Sequence, residues 1–289
     1  MVNSIEGAGK MKVGVIGLGL IGGSMAKTIR FNTDHDVIGT DTDRTVVMRA
    51  KLVEAISTEL TDDNIGECDM LIMALYPEDT INVLSQKASL IKKGAYVVDC
   101  GGIKEQVCRE CKTIADENGF IFVGGHPMAG IEKIGFAFSK EDLFKNASMI
   151  LTPNEDIDIK VLEDLKKFFV GMGFSKITIK TPKEHDEIIA YTSQLAHVLS
   201  SAYIKSETAD KHRGLSAGSF KDMTRVAYLN ETMWTELFMG NRENLINEID
   251  GLINHLTEYK NVLEDKDTQK LKQLLYEGKK RKERIDHDE

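Results

Sequence analysis

His126 is the first residue in this 289-residue sequence placed to move a proton. It stands in the run Gly124-Gly125-His126-Pro127-Met128-Ala129-Gly130, directly after the apolar stretch Phe120 to Val123. An imidazole titrates near neutral pH, so it can accept a hydroxyl proton while a hydride leaves the same carbon. Taken alone, the histidine could also be a packed structural residue. A second constellation is Gly17-Leu18-Gly19-Leu20-Ile21-Gly22, entered from the β-rich Val13-Gly14-Val15-Ile16. Between a strand and a helix this G-x-G-x-x-G run cradles a dinucleotide. Gly17 permits the tight turn, Gly19 admits a pyrophosphate to the backbone, and Gly22 lets the helix pack closely. The helix N-terminus adds free N–H groups and partial positive charge. Asp41 closes the next strand, 19 residues after Gly22. Its carboxylate suits the adenosine ribose hydroxyls and repels a 2′-phosphate, which points to NAD, although nearby Arg44 is the kind of group that receives such a phosphate.

These residues need a sheet to hold them. Lys12 to Ile16, Asp36 to Thr40, Met70 to Leu75, Tyr96 to Cys100 and Phe120 to Val123 read as strands. Met149 to Thr152 and Lys176 to Lys180 read as two more. Helical stretches separate them: Gly22 to Phe31, Pro77 to Ile91, Lys104 to Asn118 and Asp158 to Met172. Alternation of this kind predicts a parallel sheet covered on both faces, with ligands bound at its carboxyl edge. After Pro182 the character changes. Glu184 to Ser206, Ser219 to Tyr228, Glu231 to Met239 and Arg242 to Glu264 all read as helices, and no strand or further proline follows. The expected layout is an α/β fold class: a Rossmann-type dinucleotide-binding domain over 11–181, then an all-helical substrate-binding and dimerisation domain over 182–289. Lys279 to Glu289 is nearly all charged and reads as a solvated tail.

Composition removes several function classes. Lys plus Arg number 37 against 46 Asp plus Glu, a net charge of −9, so nucleic acid and anionic membrane are disfavoured partners. An anionic small molecule then needs a local positive group. No apolar run has the length of a membrane span, and the N-terminus lacks a secretory signal, so a cytoplasmic protein is expected. Met11 could serve as a natural start, with residues 1–10 a flexible or foreign extension. Cys68, Cys100, Cys108 and Cys111 read as reduced thiols. Cys108 and Cys111 have C-x-x-C spacing with no second pair, so two ordinary helical thiols are preferred to a metal site, and no metal is expected.

Three blocks carry a resemblance. His126-Pro127-Met128-Ala129-Gly130 with Glu132 resembles the H-P-x-A-G-x-E signature of prephenate dehydrogenases. Ala217-Gly218-Ser219-Phe220-Lys221-Asp222-Met223-Thr224-Arg225 resembles that family's A-G-x-G-F-x-D-x-T-R segment, with Ser219 in place of its second glycine. Ser193-Gln194-Leu195-Ala196-His197 resembles its S-x-L-x-H helix. The similarity runs from about Met11 into the C-terminal helices.

The resemblance implies a role for each matching position. His126 bonds the ring hydroxyl and acts as base, and His197 and Arg225 complete the catalytic set. Arg225 also grips a substrate carboxylate, as a guanidinium does with two parallel hydrogen bonds. Ser193 and His197, four apart on one helix face, reach the pyruvyl side chain, and Gly218 leaves room for it. Glu132 and Asp222 form an ionic network with Arg225. Trp234, the only tryptophan, reads as interface packing of the helical domain. One departure stands out: family members often carry a serine in D-x-G-S-x-K, whereas this chain reads Asp99-Cys100-Gly101-Gly102-Ile103-Lys104. Lys104 either assists near the nicotinamide or caps a helix. The implied reaction is oxidative decarboxylation of prephenate to 4-hydroxyphenylpyruvate with NAD, on the route to tyrosine. Three alternatives stay open: arogenate as substrate, a dehydrogenase of the β-hydroxyacid type, and a non-catalytic NAD-binding regulator. The resemblance also implies a homodimer with residues of both chains near each pocket. About 108 residues follow Thr181, which leaves no space for a mutase or full regulatory domain, so tyrosine inhibition would act at the active site.

Overall fold

The computed structural model describes residues 10–287. The N-terminal extension therefore lies outside the described residues, apart from the exposed Lys10. The chain divides into two compact units, Met1–Asn241 and Arg242–Glu289.

In the first unit the sheet region runs β1 (Lys12–Ile16), α1 (Leu20–Asn32), β2 (Asp36–Thr40), α2 (Arg44–Leu52), β3 (Thr58–Glu59), β4 (Met70–Met73) and α3 (Pro77–Lys87). It continues through β5 (Tyr96–Asp99), α4 (Glu105–Asn118), β6 (Ile121–Met128), β7 (Ser148–Thr152), α5 (Ile159–Gly171) and β8 (Lys176–Ile179). Helices follow: α6 (Pro182–Ile189), α7 (Ala196–Ile204), α8 (Gly218–Thr224) and α9 (Glu231–Gly240). Between α6 and α7 the chain takes a π-helical turn, Ala190–Leu195. The strand order is β3-β2-β1-β4-β5-β6-β7-β8.

The first six strands of that order are parallel, as β-α alternation dictates. β7 departs from the all-parallel expectation: it pairs antiparallel with β6, and β8 then runs parallel to β7. The reason is the connection. A parallel return needs a crossover helix, and between Met128 and Ser148 there is only the short 3-10 turn Phe136–Phe138. β6 also runs past the predicted Val123 to Met128, so His126 sits inside a strand, opposite Ile150 of β7.

Both sheet faces are covered. Val13, Val15, Ile72 and Val98 pack with Met25, Ile29, Leu165 and Phe169 from α1 and α5. Leu71, Met73 and Val97 pack with Leu84, Val107 and Cys111 from α3 and α4. Three elements were not legible as such. β3 is two residues long, α2 buries only Val47 and Ala50, and the charged tail belongs to a helix. That helix is α11 (Thr268–His287), which with α10 (Arg242–Glu264) makes up the second unit. Its polar surface carries ion pairs three or four residues apart, Lys279–Glu283 and Lys280–Glu283, which support a solvated helix. No helix among the described residues is long and apolar enough to cross a membrane.

Candidate active site

The nucleotide loop is built as its glycines require. Gly17 has φ +85°, and a Cβ there would lie 2.5 Å from the Ala74 carbonyl oxygen. A Cβ on Gly22 would lie 1.8 Å from the Gly17 carbonyl oxygen, so α1 could not approach the turn. The space before Gly19 is open, and no side chain caps the first turn of α1, leaving the N–H groups of Leu20, Ile21 and Gly22 for an anion. Asp41 is held in place: its Oδ2 accepts from the Leu18 N–H at 2.8 Å and its Oδ1 from the Asp43 N–H at 3.0 Å. Loop and carboxylate thus form one rigid corner, which fits a dinucleotide with a free ribose diol.

The sheet register sets His126 on the same carboxyl edge as that corner, three strands along from β1. Thr40, Ile16, Met73 and Asp99 are aligned as neighbours across four strands. Val98 pairs with Val123, so His126 projects from β6 beyond the level at which the other strands end. Gly124 and Gly125 let β6 pass: a Cβ on Gly125 would sit 2.5 Å from the Asp99 carbonyl oxygen. Beneath this edge Asp99 and Lys104 form a fully buried ion pair. Asp99 also accepts from the N–H groups of Gly101 and Gly125, at 2.8 and 3.0 Å. The Lys104 Nζ is therefore shut off from solvent and held by Asp99. Its side chain caps nothing; the Asp186 carboxylate does the capping, accepting from the Lys104 and Glu105 N–H groups at 2.8 Å each.

His126 Nδ1 lies 2.9 Å from His185 Nε2, and His185 Nδ1 lies 2.7 Å from Asp186 Oδ1. Burial, then the charge His185 carries when protonated and that of Lys104, hold the His126 ring well below the usual imidazole pKa of 6.5. Burial likewise lowers His185, opposed by its bond to Asp186. Both rings are neutral at neutral pH, so His126 is available as a base. His185 and Asp186 escaped the sequence reading. The available signal was the capping box of Thr181 and Glu184, which fixes the start of α6 and aims the next two residues at α4 and β6.

The helical segment carries the remaining candidates. The π-helical turn carries Ser193 and Gln194, and such turns recur at functional sites. Gln194 is buried, donates to the Leu237 carbonyl at 3.0 Å and accepts from Asn241 Nδ2 at 2.9 Å. Asn241 also donates to the Asp186 carbonyl at 2.8 Å, tying the end of α9 to α6. His197 Nδ1 donates to the Ser193 carbonyl at 2.8 Å, which leaves Nε2 as the open nitrogen. Burial lowers the His197 pKa, with Arg225 adding to the effect. Trp234 packs against His197 with ring centroids 3.9 Å apart and the planes tilted by 31°. Arg225 pairs with Glu132, as expected, while Asp222 lines the same cleft without joining that pair. The cleft, about 950 Å³, is also lined by His212, Arg213 and Lys221. Gly218 opens α8 with free space where a side chain would be.

Gly102 has a tertiary explanation. A Cβ there would meet the Leu237 side chain of α9 at 3.3 and 3.5 Å, so a larger residue would press on that helix. Cys108 and Cys111 lie on the buried face of α4, and burial pushes the Cys108 thiol up to about 12, as for ordinary packed thiols.

Comparison with known proteins agrees with this geometry. A family model described as "Prephenate dehydrogenase, nucleotide-binding domain" matches residues 25–178, and one described as "Prephenate dehydrogenase, dimerization domain" matches residues 181–277. The chain is 30% identical over 280 residues to a prephenate dehydrogenase of Lactococcus lactis subsp. cremoris, covering 93% of this chain and 76% of that protein. It is 30% identical over 269 residues to the Bacillus subtilis prephenate dehydrogenase, covering 88% and 71%. Among solved structures, A. aeolicus prephenate dehydrogenase in complex with hydroxyphenyl propionate and NAD+ superimposes with a TM-score of 0.84 at 25% identity, covering 96% of this chain and 99% of that one. With a dinucleotide turn after β1, a neutral histidine on the same sheet edge and an Arg225–Glu132 pair reaching from the helical segment, the chain belongs to the prephenate dehydrogenase family.

Proposed function

We propose that this protein oxidatively decarboxylates prephenate to 4-hydroxyphenylpyruvate with NAD. The observation that carries the reading is the neutral, half-buried His126 ring standing at the carboxyl edge that also holds Gly17 and Asp41. Bound NAD supplies the acceptor for the hydride lost from the ring carbinol carbon. His126 Nε2 takes the hydroxyl proton as that hydride leaves. The ring carboxylate departs as CO₂, its bonding pair completes the aromatic ring, and the step is thereby irreversible. Arg225 holds a substrate carboxylate: its pair with Glu132 uses one arm of the guanidinium and leaves other N–H groups free. Gly17 to Gly22 and Asp41 form the cofactor corner. Ser193, His197 and Gly218 face the substrate side chain, and Glu132 steadies Arg225, with Asp222 on the same cleft.

A second reading rests on His197. Its open Nε2 accepts a hydrogen bond while the ring is neutral, which suits the ammonium of arogenate better than the keto group of prephenate. Reduced-nicotinamide absorbance with each substrate, in parallel with NAD⁺ and NADP⁺, decides between them. His126→Asn should lower kcat at least about 100-fold while NAD binding persists. A variant as active as the parent would remove His126 from the mechanism.

We also infer a division of labour at residue 181, with cofactor binding before it and substrate binding and dimerisation after it. The homodimer is supported by the second unit, where Ile253, Leu256, Leu263, Leu275 and Tyr276 are all more than half exposed in the single chain.

A further inference from the structure

We infer that His185, held by Asp186, is a positioning residue that fixes the tautomer of His126 and leaves its Nε2 bare to receive the substrate proton. The assignment rests on His126 being the base, and it follows from counting protons along three side chains. The Asp186 carboxylate is buried and already accepts two backbone N–H groups at the start of α4. Both carboxylate oxygens are thus acceptors, aimed at the first turn of α4. The Asp186 Oδ1 contact at 2.7 Å therefore draws a proton onto His185 Nδ1. A neutral imidazole carries one N–H, so His185 Nε2 is bare and accepts. Its partner 2.9 Å away, His126 Nδ1, must then donate, and the one nitrogen left without a proton is His126 Nε2.

The opposite arrangement fails as a base. If His185 carried two protons, its Nε2 would donate to His126 Nδ1, and the His126 proton would move to Nε2, where it blocks uptake from a hydroxyl. Burial of the His185 side chain is the main opponent of a second proton there, with Lys104 adding to it, against the pull of Asp186 and Asp99. Among the described residues His185 is the hydrogen-bond partner of the His126 ring; Gly102 offers no side-chain hydroxyl, and Leu237 occupies the space beside it. During turnover the proton from the ring hydroxyl rests on His126 Nε2. The positive charge is offset by Asp186 through two hydrogen bonds, the logic by which a carboxylate orients a catalytic imidazole elsewhere.

The test starts without turnover. Ligand-free protein labelled with ¹⁵N-histidine is studied by NMR at neutral pH, with His126→Asn assigning the resonance. A proton on His126 Nδ1 and a bare Nε2 are expected; the Nε2–H tautomer overturns the assignment. Kinetics follow with two folded variants. His185→Phe removes the acceptor and should lower kcat about 100-fold or more, with KM for NAD and substrate within about threefold. His185→Gln can accept from His126 and donate to Asp186, and should recover activity to within about tenfold of the parent. Equal losses in the two variants, or no loss in His185→Phe, also overturn it. The readings separate cleanly, because an inert parent protein with the expected tautomer refutes the reaction and leaves the tautomer assignment standing.

Discussion

At the residue scale, two side chains illustrate how environment selects one function from several. His126 could have been a structural histidine, and its burial beside His185 and Lys104 instead makes it a neutral acceptor. The sign for pH dependence follows. Falling pH protonates the base and lowers kcat/KM, and because the His126 pKa lies below 6.5, the plateau should extend below that pH. An acid limb at or above about 6.5 in the pH–rate profile would contradict the assignment. Asp41 is the other case. Its carboxylate is aimed by the Leu18 and Asp43 N–H groups, so its negative charge stands where a 2′-phosphate would come. Asp41→Asn keeps an acceptor for Leu18 and removes the charge. The preference for NAD over NADP, measured as the ratio of kcat/KM values, should fall about tenfold or more, and an unchanged ratio would move discrimination elsewhere, with Arg44 the next candidate.

At the element scale, the site is held by contacts between chain segments that are distant in sequence. Asp186 in α6 caps α4, and Asn241 at the end of α9 bonds α6 and the π-helical turn. Below them the Asp99–Lys104 pair sits at the junction of β5, β6 and α4, with both side chains essentially inaccessible. Lys104→Met should leave a buried carboxylate uncompensated and cost about 3–5 kcal/mol, read by chemical denaturation. It also removes a positive charge that lowers the His126 pKa, so the acid limb of any residual activity should move to higher pH. A variant of unchanged stability would show that the pair is dispensable to the sheet edge.

At the scale of the whole molecule, α10 and α11 in one chain leave more apolar surface bare than two charged helices need. Light scattering should give twice the molar mass of one chain, and Leu256→Asp should shift it toward the single-chain value. A parent protein of single-chain mass at micromolar concentration would end the dimer proposal.

The sequence by itself determined the parts whose physics is local. Glycine spacing demanded the turn after β1, apolar runs of strand length demanded β1, β2, β4 and β5, and the His126 and Arg225 blocks identified which polar residues to watch. Each is a matter of steric allowance or periodicity over a few residues. What the sequence left open was decided by packing at long range. The reversal of β7, the placement of His126 within a strand and the meeting of His126 with His185 depend on partners two dozen or more residues away, and the Asp99–Lys104 pair, five residues apart, is buried only once the strands and α4 close over it. No short window contains that information, because hydrogen bonding at a buried site is fixed only once the surrounding elements have excluded water and presented their donors.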